Sequence, residues 1–375
     1  MIVLFWISAA IVAYVYLGYP CLIALWARAV DRRPRREPFA DDRWPAISIV
    51  IAARNEAARL GGRIHNLLAQ EYPGAREIIV VSDGSSDTTA AVLAPFGDAV
   101  RLLQLPPGGK PAALNAGVAA SRGEILVFAD ARQRFAPGAL MALVSNLSDP
   151  GVGGATGELV LDCEQGDASD SAVGEGIGLY WTYEKWLRRM ESRVWSTLGA
   201  TGAIYALRRS CWSPLPATTL LDDVLAPMRA VLNGSRIVFE EAAIAYDRAS
   251  TDAAAESRRK TRTLAGNYQI LFQEPRLLLP FANPVWVQYV SHKLGRLIVP
   301  WALIGLFVGS IALAATHPFV ALVMALQGIF YGLALAGAIF HARERFARVA
   351  FTFVMMNISA VAGLAALRRG REVWR

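Results

Sequence analysis

Short hydrophobic runs alternate with acidic residues in the first third of this chain. Three runs of β-branched and aliphatic residues each lead into an acid: they begin at Ile47, Ile78 and Ile125 and end at Glu56, Asp83 and Asp130. Runs of this length, separated by helix-like stretches, predict buried strands of a parallel sheet. Because such sheets bind ligands at the carboxyl ends of their strands, the pattern predicts a nucleotide-type ligand beside these acids.

A longer hydrophobic pattern marks the two ends of the chain. Residues 3–27 carry no charge, and they are long enough to cross about 30 Å of hydrocarbon. The segments 297–316, 318–340 and 349–367 have the same character. The first run lacks the basic start of a secretory signal peptide and continues beyond its usual length, so we interpret it as a retained membrane helix.

These patterns divide the chain into five parts. We expect an N-terminal transmembrane helix over 1–30, a basic linker over 31–44, a cytoplasmic α/β domain over 45–270, an interfacial helix over 271–296, and C-terminal transmembrane helices over 297–375. The arginines of the linker favour the cytoplasmic side for the domain that follows it. The basic tail does not follow this rule, which leaves open whether 349–367 crosses the membrane.

Composition supports a membrane protein and argues against several other classes. The chain of 375 residues is 54% hydrophobic and has a mean hydropathy of +0.34, which is high for a soluble enzyme. The net charge of +7 comes from residues near the predicted membrane borders, so it predicts contact with lipid headgroups and not with nucleic acid. The scattered cysteines Cys21, Cys163 and Cys211 predict neither disulfides nor a zinc site.

Two turns of the α/β part carry candidate ligand-binding residues. The turn after the second run, 82–89, has Gly84 for close backbone approach, although a well-capped strand-to-helix turn would look the same. The Pro- and Gly-rich loop 106–111 delivers Lys110, for which we expect contact with a phosphate or with Asp130. The glycine motifs of dinucleotide-binding domains and of phosphate loops are missing. The acids would therefore bind base and ribose directly, and the diphosphate through a cation.

Six segments in this order resemble the processive, membrane-embedded family 2 glycosyltransferases, which have a GT-A fold: SIVIAARNE, VVSDGSSDTT, GGKPAALNAG, FADAR, TGAIYALRR and LLDD. Poly-N-acetylglucosamine, hyaluronan and cellulose synthases belong to this group. The resemblance covers roughly residues 45 to 270. It implies an α/β GT-A domain with a mostly parallel sheet, flanked by transmembrane and interfacial helices.

The resemblance also implies roles for the donor-binding residues. It implies that Ala53, Arg54 and Glu56 line the nucleoside pocket and that Asp83 binds the uracil ring of a UDP-sugar. Asp130 takes the first place of the Asp-x-Asp motif, which binds Mg²⁺ or Mn²⁺ on the donor diphosphate.

The second acid of that motif is replaced by Arg132. Either Asp130 and the diphosphate still hold the metal, or Arg132 supplies positive charge in its place. A third reading is that the site is inactive. Mg²⁺ commonly takes only one or two carboxylates besides substrate phosphates, which favours the metal.

Inversion at the sugar requires a base on the acceptor hydroxyl. The resemblance places an acidic pair at Asp222 and Asp223, with Asp223 as the base and Asp222 as the neighbour that raises its pKa or orients it. An acid at the start of a helix over 224–232 has the same sequence appearance, and the two roles are compatible.

The acceptor side is predicted from a third group of residues. Gly202 lies in the segment that borders the acceptor sugar in this family, while Tyr180 and Trp181 have rings suited to stacking on sugars. Arg259 and Arg262 fall in the gating motif, whose tryptophan is replaced by Thr263. The alternative is that these aromatics pack in a core, and that the basic segment lies on the membrane surface.

Three functions follow from these features. The first is an inner-membrane enzyme that adds sugars, N-acetylglucosamine in the first instance, from a UDP-sugar to a growing polysaccharide and exports the chain. The second is one-step transfer to a lipid-linked acceptor, and the third is a non-catalytic scaffold that binds sugar nucleotides. Four apolar runs are few for a closed pore, so a second copy or an accessory membrane subunit is a further expected partner.

Overall fold

The computed structural model describes residues 1–37, 39, 43–162, 172–248, 253–340 and 345–369, which are built around an eight-stranded sheet. The strands are β1 (Ile47–Ala53), β2 (Arg76–Asp83), β3 (Arg101–Leu105), β4 (Ile125–Phe128), β5 (Arg134–Phe135), β6 (Val152–Asp162), β7 (Tyr205–Arg208) and β8 (Arg236–Arg248). Their order is β3-β2-β1-β4-β7-β6-β8-β5. The first four pair in parallel, as do β6 and β8, whereas β7 and β5 are antiparallel to their neighbours. The predicted fold class is confirmed.

Helices cover both faces of this sheet and continue into the membrane region. They are α1 (Ile2–Val30), α2 (Ala57–Leu68), α3 (Thr89–Leu93), α4 (Lys110–Ala120), α5 (Ala139–Ser145), α6 (Ala172–Val194), α7 (Asp222–Leu232), α8 (Ala253–Gln273), α9 (Trp286–Leu313), α10 (Pro318–Phe340) and α11 (Arg345–Arg369). Short 3₁₀ turns lie at Ala94–Ala99, Asn146–Ser148, Arg209–Cys211 and Pro275–Leu278.

The strand β1 explains how the sheet is held between two helical layers. Ile49 and Ile51 pack into a core formed with α2 and α5, whereas Val50 packs into a second core formed with α4 and α7. Alternate side chains of a strand point to opposite faces, so a strand covered on both sides must be apolar throughout. This burial is why the hydrophobic runs were continuous and ended in polar residues only at the strand ends.

Four helices are long and apolar enough to cross a membrane: Ile2–Val30, Trp286–Leu313, Pro318–Ile339 and Phe346–Leu367. The predicted interfacial helix over 271–296 differs from what the structure has there. Helix α8 continues to Gln273, a short turn follows, and residues 286–296 belong to the apolar helix α9. The polar side chains in this segment suggested contact with water, but His292 is buried against Glu191 of α6.

Helices α1 and α9 pack closely along one another. Each contains one wide, π-helical turn, at Tyr14–Gly18 in α1 and at Tyr289–Leu294 in α9. The two turns are joined by a hydrogen bond of 2.7 Å between the hydroxyls of Tyr14 and Ser291. A Cβ on Gly305 would lie 2.6 Å from Ser8 Oγ, so the small residue lets the two backbones approach, as is common between membrane helices.

A second contact joins the α/β domain to the membrane helices. Helix α8 packs against α11, where a Cβ on Gly363 would lie 2.8 Å from the backbone nitrogen of Ala265. Helix α8 carries Arg259 and Arg262, so the predicted gating segment is attached directly to a helix that could cross the membrane.

Candidate active site

A cavity of about 290 Å³ lies between the carboxyl ends of the strands and the membrane helices. Its wall includes many of the predicted site residues: Lys110, Asp130, Arg132, Trp181, Gly202, Asp222, Asp223, Arg259 and Arg262. We call the part around Lys110, Asp130, Asp222 and Asp223 the strand side. The part around Arg188, Glu191, His292 and Lys293, which come from α6 and α9, is called the membrane side.

The acidic pair begins helix α7. The backbone N–H of Gly202 donates a hydrogen bond of 2.9 Å to Asp223 Oδ2, and the N–H of Ala200 donates one of 2.7 Å to the Asp223 carbonyl. A Cβ at Gly202 would lie 3.3 Å from Asp223 Oδ2 and 3.6 Å from Lys110 Nζ. The glycine therefore lets the loop before β7 lie directly against the acid and the lysine.

Asp223 has the protonation behaviour of a general base. Burial and the neighbouring carboxylate of Asp222 raise the pKa of Asp223 to about 6, although Lys110 and the Gly202 N–H act in the opposite direction. A carboxylate with this pKa is largely ionised at neutral pH and is more basic than an ordinary aspartate. A base is most effective when its pKa lies near the working pH, so Asp223 is suited to accept a proton.

Lys110 connects two acidic groups on the strand side. Its Nζ lies 3.0 Å from Asp130 Oδ1 and 3.1 Å from Asp222 Oδ2. Burial alone would lower the pKa of Lys110, but these carboxylates hold it above its usual range. Lys110 therefore keeps its positive charge at the point where a donor diphosphate would bind beside Asp130.

The loop that delivers Lys110 is fixed by Asp83. The carboxylate of Asp83 accepts hydrogen bonds from the backbone N–H groups of Gly108, at 2.6 Å, and of Gly109, at 3.0 Å. Asp83 is 4% exposed, so in this structure its oxygens bind the loop, and its contact with a uracil ring stays a prediction.

The other residues predicted for the nucleoside lie beside Asp83 and outside the cavity wall. Ala53 ends β1, which pairs with β2, and Arg54 and Glu56 follow it. Glu56 pairs with Arg59 at 3.0 Å. The structure therefore brings this group to one edge of the sheet, next to the strand side of the cavity.

Arg132 has a partner that the sequence did not indicate. Its guanidinium lies 3.0 Å from Asp247 Oδ2 in β8, and Gln133 donates a hydrogen bond of 3.0 Å to the same oxygen. The Asp247 side chain is only 2% exposed, so the arginine balances a buried negative charge. The only advance signal was the acid at the end of a strand that pairs with the β5 segment following Arg132.

A divalent cation would find one carboxylate from the Asp-x-Asp position. Among the described residues, no group of three or more His, Cys, Asp or Glu side chains forms a preassembled metal site. Asp130 is partly exposed in the cavity wall. A single carboxylate that shares the cation with substrate phosphates is a common Mg²⁺ arrangement, so the residues present fit a cation that arrives with the donor.

The predicted acceptor residues lie on α6 and α8. Lys260 Nζ lies 5.2 Å from the centre of the Trp181 ring, a cation–π contact that joins the two helices. Arg259 and Arg262 line the cavity one turn apart on α8. The side chain of Tyr180 lies outside the part of the chain that the structure describes.

A buried polar network on the membrane side was missed entirely. Glu191, which is fully buried, accepts hydrogen bonds from the Tyr19 hydroxyl and pairs with His292 Nδ1, both at 2.7 Å. Glu184 pairs with His292 Nε2 at 3.3 Å and with Arg296. The available signal was the set of ionisable residues at the start of a long apolar run, because such residues in membrane segments usually have partners or a function.

Comparison with known proteins identifies the central part of the chain. Residues 48–211 match the sequence profile described as Glycosyl transferase family 2. The protein contains a family 2 glycosyltransferase domain. This finding confirms the predicted enzyme class, and it covers the first of the two predicted acids, Asp130, but ends before Asp222 and Asp223.

The family 2 domain also accounts for the likeness to curated proteins. The chain is 26% identical over 242 residues to the probable glycosyltransferase YdaM of Bacillus subtilis, covering 61% of this chain and 57% of that protein. An N-acetylglucosaminyltransferase of Rhizobium meliloti is 28% identical, over 56% of this chain and 50% of its own length. A β-monoglucosyldiacylglycerol synthase of Trichormus variabilis is 36% identical, over 27% and 23%. The chain thus spans at most 57% of the length of these relatives.

One solved structure matches the family 2 domain together with the membrane helices. It is the mannosyltransferase PcManGT from Pyrobaculum calidifontis in complex with GDP-Man and Mn²⁺. The TM-score is 0.71 at 22% identity, with coverage of 98% of this chain and 100% of that one. At this identity the likeness establishes a shared fold.

Proposed function

We propose that the protein is an inverting glycosyltransferase that moves a sugar from a nucleotide sugar to an acceptor hydroxyl at the membrane, with Asp223 as the base. The observation that carries this proposal is the strand side of the cavity, where a carboxyl of raised pKa lies next to a lysine held between two acids. Base and cation have different partners there, so each can act on a different part of the reaction.

The reaction then proceeds as one displacement. Asp223 takes the proton of the acceptor hydroxyl, and the acceptor oxygen forms a bond to the anomeric carbon. The bond between that carbon and the diphosphate oxygen breaks on the opposite face, and the nucleoside diphosphate leaves with the electron pair. Lys110 provides positive charge toward the leaving oxygens. Asp222 holds Lys110 in place and keeps the pKa of Asp223 raised.

A divalent cation, Mg²⁺ or Mn²⁺, would be held by Asp130 and would neutralise charge on the diphosphate. The alternative that Arg132 replaces the cation is less well supported, because the charge of Arg132 already balances the buried Asp247. The third reading, a scaffold without activity, has against it the intact acid pair and its raised pKa.

The donor that we propose is a UDP-sugar, and first UDP-N-acetylglucosamine. Support comes from the predicted role of Asp83 at the uracil ring and from the similarity to N-acetylglucosaminyltransferases. Their identity to this chain is below 30%, so the sugar itself has to be identified by experiment.

Two acceptors remain in view, a growing polysaccharide and a lipid-linked sugar. The resemblance to processive synthases supports the first. A specific observation favours the second: the cavity wall includes His292 and Lys293, which belong to a helix long enough to cross the membrane. An acceptor anchored in the membrane would reach Asp223 from this direction. The arginines of 32–36 support a cytoplasmic position for the catalytic domain at the inner membrane.

Product analysis tests this proposal. The purified full-length protein in lipid nanodiscs is incubated with radiolabelled UDP-N-acetylglucosamine, UDP-glucose or GDP-mannose and a total membrane lipid extract, with and without Mg²⁺. We expect release of the nucleoside diphosphate from one donor and a product whose anomeric configuration is inverted, as measured by NMR. A lipid-extractable product identifies the lipid-linked acceptor, and a high-mass polymer identifies the polysaccharide. Retention of configuration, or no release from any donor, contradicts the proposal.

A further inference from the structure

The membrane side of the cavity carries two positive charges that the proposed reaction does not use. Arg188 on α6 and Lys293 on α9 both line the same cavity as Asp223. They come from separate helices, and both are half-buried. Two cations facing one cavity repel each other, and the repulsion is relieved when an anion lies between them.

The acids of the membrane side are already engaged in holding helices together. Glu191 bonds to Tyr19 of α1 and to His292 of α9, and Glu184 bonds to His292 and Arg296. These bonds fix α6 against the two membrane helices. They also fix the positions of Arg188, one turn from Glu184 and Glu191, and of Lys293, the residue after His292.

The depth of Lys293 indicates what kind of anion could reach it. Lys293 lies near the start of α9, and farther along the same helix Trp301, Ile304 and Phe307 expose apolar side chains as a lipid-facing helix would. A cation at the end of a membrane span lies at the level of lipid phosphates. An anion attached to a lipid is therefore favoured over a freely dissolved one.

We propose that Arg188 and Lys293 bind the phosphate of a membrane-anchored acceptor, and that this contact presents the acceptor hydroxyl to Asp223. The proposal rests on the proposed function and adds to it the chemical class of the acceptor, a phosphate- or diphosphate-linked lipid. A guanidinium and an ammonium are the groups that bind phosphate best in proteins. A neutral glycolipid would leave both charges without an anion.

A binding experiment without donor tests this site separately from the reaction. The full-length protein is placed in phosphatidylcholine nanodiscs, and binding of a tritiated polyprenyl phosphate is measured in competition with the polyprenyl alcohol and with inorganic diphosphate. We expect the polyprenyl phosphate to bind at least about tenfold more tightly than either competitor, because charge-assisted hydrogen bonds contribute this much and more. Equal binding of the alcohol, or of free diphosphate, overturns the proposal.

Matched variants assign the binding to the two cations. Arg188→Gln and Lys293→Gln should each weaken binding about tenfold or more, whereas Arg188→Lys and Lys293→Arg should retain most of it. Arg189→Gln is the control, since Arg189 is the next residue on α6, is exposed, and pairs with Glu241 away from the cavity wall. Thermal unfolding of each variant separates a lost contact from a damaged fold. Unchanged affinity in both glutamine variants overturns the proposal.

The same assay keeps this inference distinct from the proposed function. Asp223→Asn should bind the polyprenyl phosphate as tightly as the unchanged protein while transferring no sugar. If sugar transfer depends on Asp223 but the polyprenyl phosphate does not bind, the glycosyltransferase proposal stands and the phosphate site is refuted. If the phosphate binds but transfer is independent of Asp223, the mechanism fails and the lipid site stands.

Discussion

The strand side and the membrane side of the cavity both hold charged groups, but they hold them in different ways. On the strand side, Asp223 is bound by the backbone N–H of Gly202, and Asp83 by those of Gly108 and Gly109. On the membrane side, Glu191 depends on side chains of two other helices, Tyr19 and His292.

The difference separates chemistry from assembly. Backbone donors position a carboxylate without neutralising it, so Asp223 keeps a reactive charge with a raised pKa. Side-chain partners at 2.7 Å instead consume the charge of Glu191 to join α6, α1 and α9. Substitutions on the strand side should therefore reduce activity with little effect on stability, whereas those at the helix junction should do the reverse.

The largest effect is expected at Asp223. Asp223→Asn keeps the size of the side chain but cannot accept the acceptor proton, so the transfer rate should fall by roughly 10³-fold, within the range for loss of a general base. Donor affinity, measured by isothermal titration calorimetry, and the unfolding temperature should change little. Asp222→Asn serves as the neighbour control and should keep measurable transfer. Substantial turnover by Asp223→Asn would remove Asp223 from its assigned role.

Removal of divalent cations should have the next largest effect. Excess EDTA should reduce transfer by about 100-fold, as expected when several kcal/mol of charge stabilisation are lost, and Mg²⁺ or Mn²⁺ should restore it. Asp130→Asn should raise the Mg²⁺ concentration needed for half-maximal rate. Full activity in EDTA would instead favour Arg132 as the source of positive charge.

The opposite pattern is expected for Glu191. Glu191→Gln leaves His292 and Tyr19 without their buried charged partner, which should lower the free energy of unfolding by about 3 kcal/mol, as for other broken buried pairs. Donor affinity should remain close to that of the unchanged protein. Glu241→Gln is the matched control, because that acid pairs with Arg189 at 47% exposure and should cost less than about 1 kcal/mol. Equal losses of stability in both variants would break the distinction between the two sides.

The smallest effect concerns the pH dependence. Asp223 must be ionised to act, and its pKa is raised to about 6, so kcat/KM should fall as the pH decreases through that value. Removing the like charge by Asp222→Asn should lower the pKa of Asp223 and move this decline to lower pH. Asp98→Asn, an exposed acid, should leave the profile in place. A decline that Asp222→Asn moves upward or leaves unchanged would show that the titrating group is not coupled to Asp222.

The parts of the site that depend on local sequence could be predicted. Strand ends are marked by the change from continuous apolar residues to acids, which located Asp83 and Asp130 at one edge of the sheet. The acid pair precedes a helix that begins where expected, at Asp222. Both signals lie within a few residues of the group they describe, because burial on two faces and helix initiation are local requirements.

The remainder depends on contacts between distant segments. Arg132 meets Asp247 across 115 positions of sequence, and His292 meets Glu191 across 101. No pattern in one segment identifies its partner in another. For the same reason, the polar residues of 271–296 were interpreted as facing water, although their partners on α6 allow them to be buried within an apolar helix.

The paired wide turns of α1 and α9 have a consequence for how this protein can vary. Each turn holds an extra residue compared with a regular helix, so deleting one residue would rotate the rest of that helix by about 100° relative to its partner. Such a deletion in α9 would carry His292 away from Glu191, and one in α1 would carry Tyr14 away from Ser291. Insertions and deletions in the two helices should therefore be inherited together, so that a gap in one helix of a relative forecasts a gap in the other.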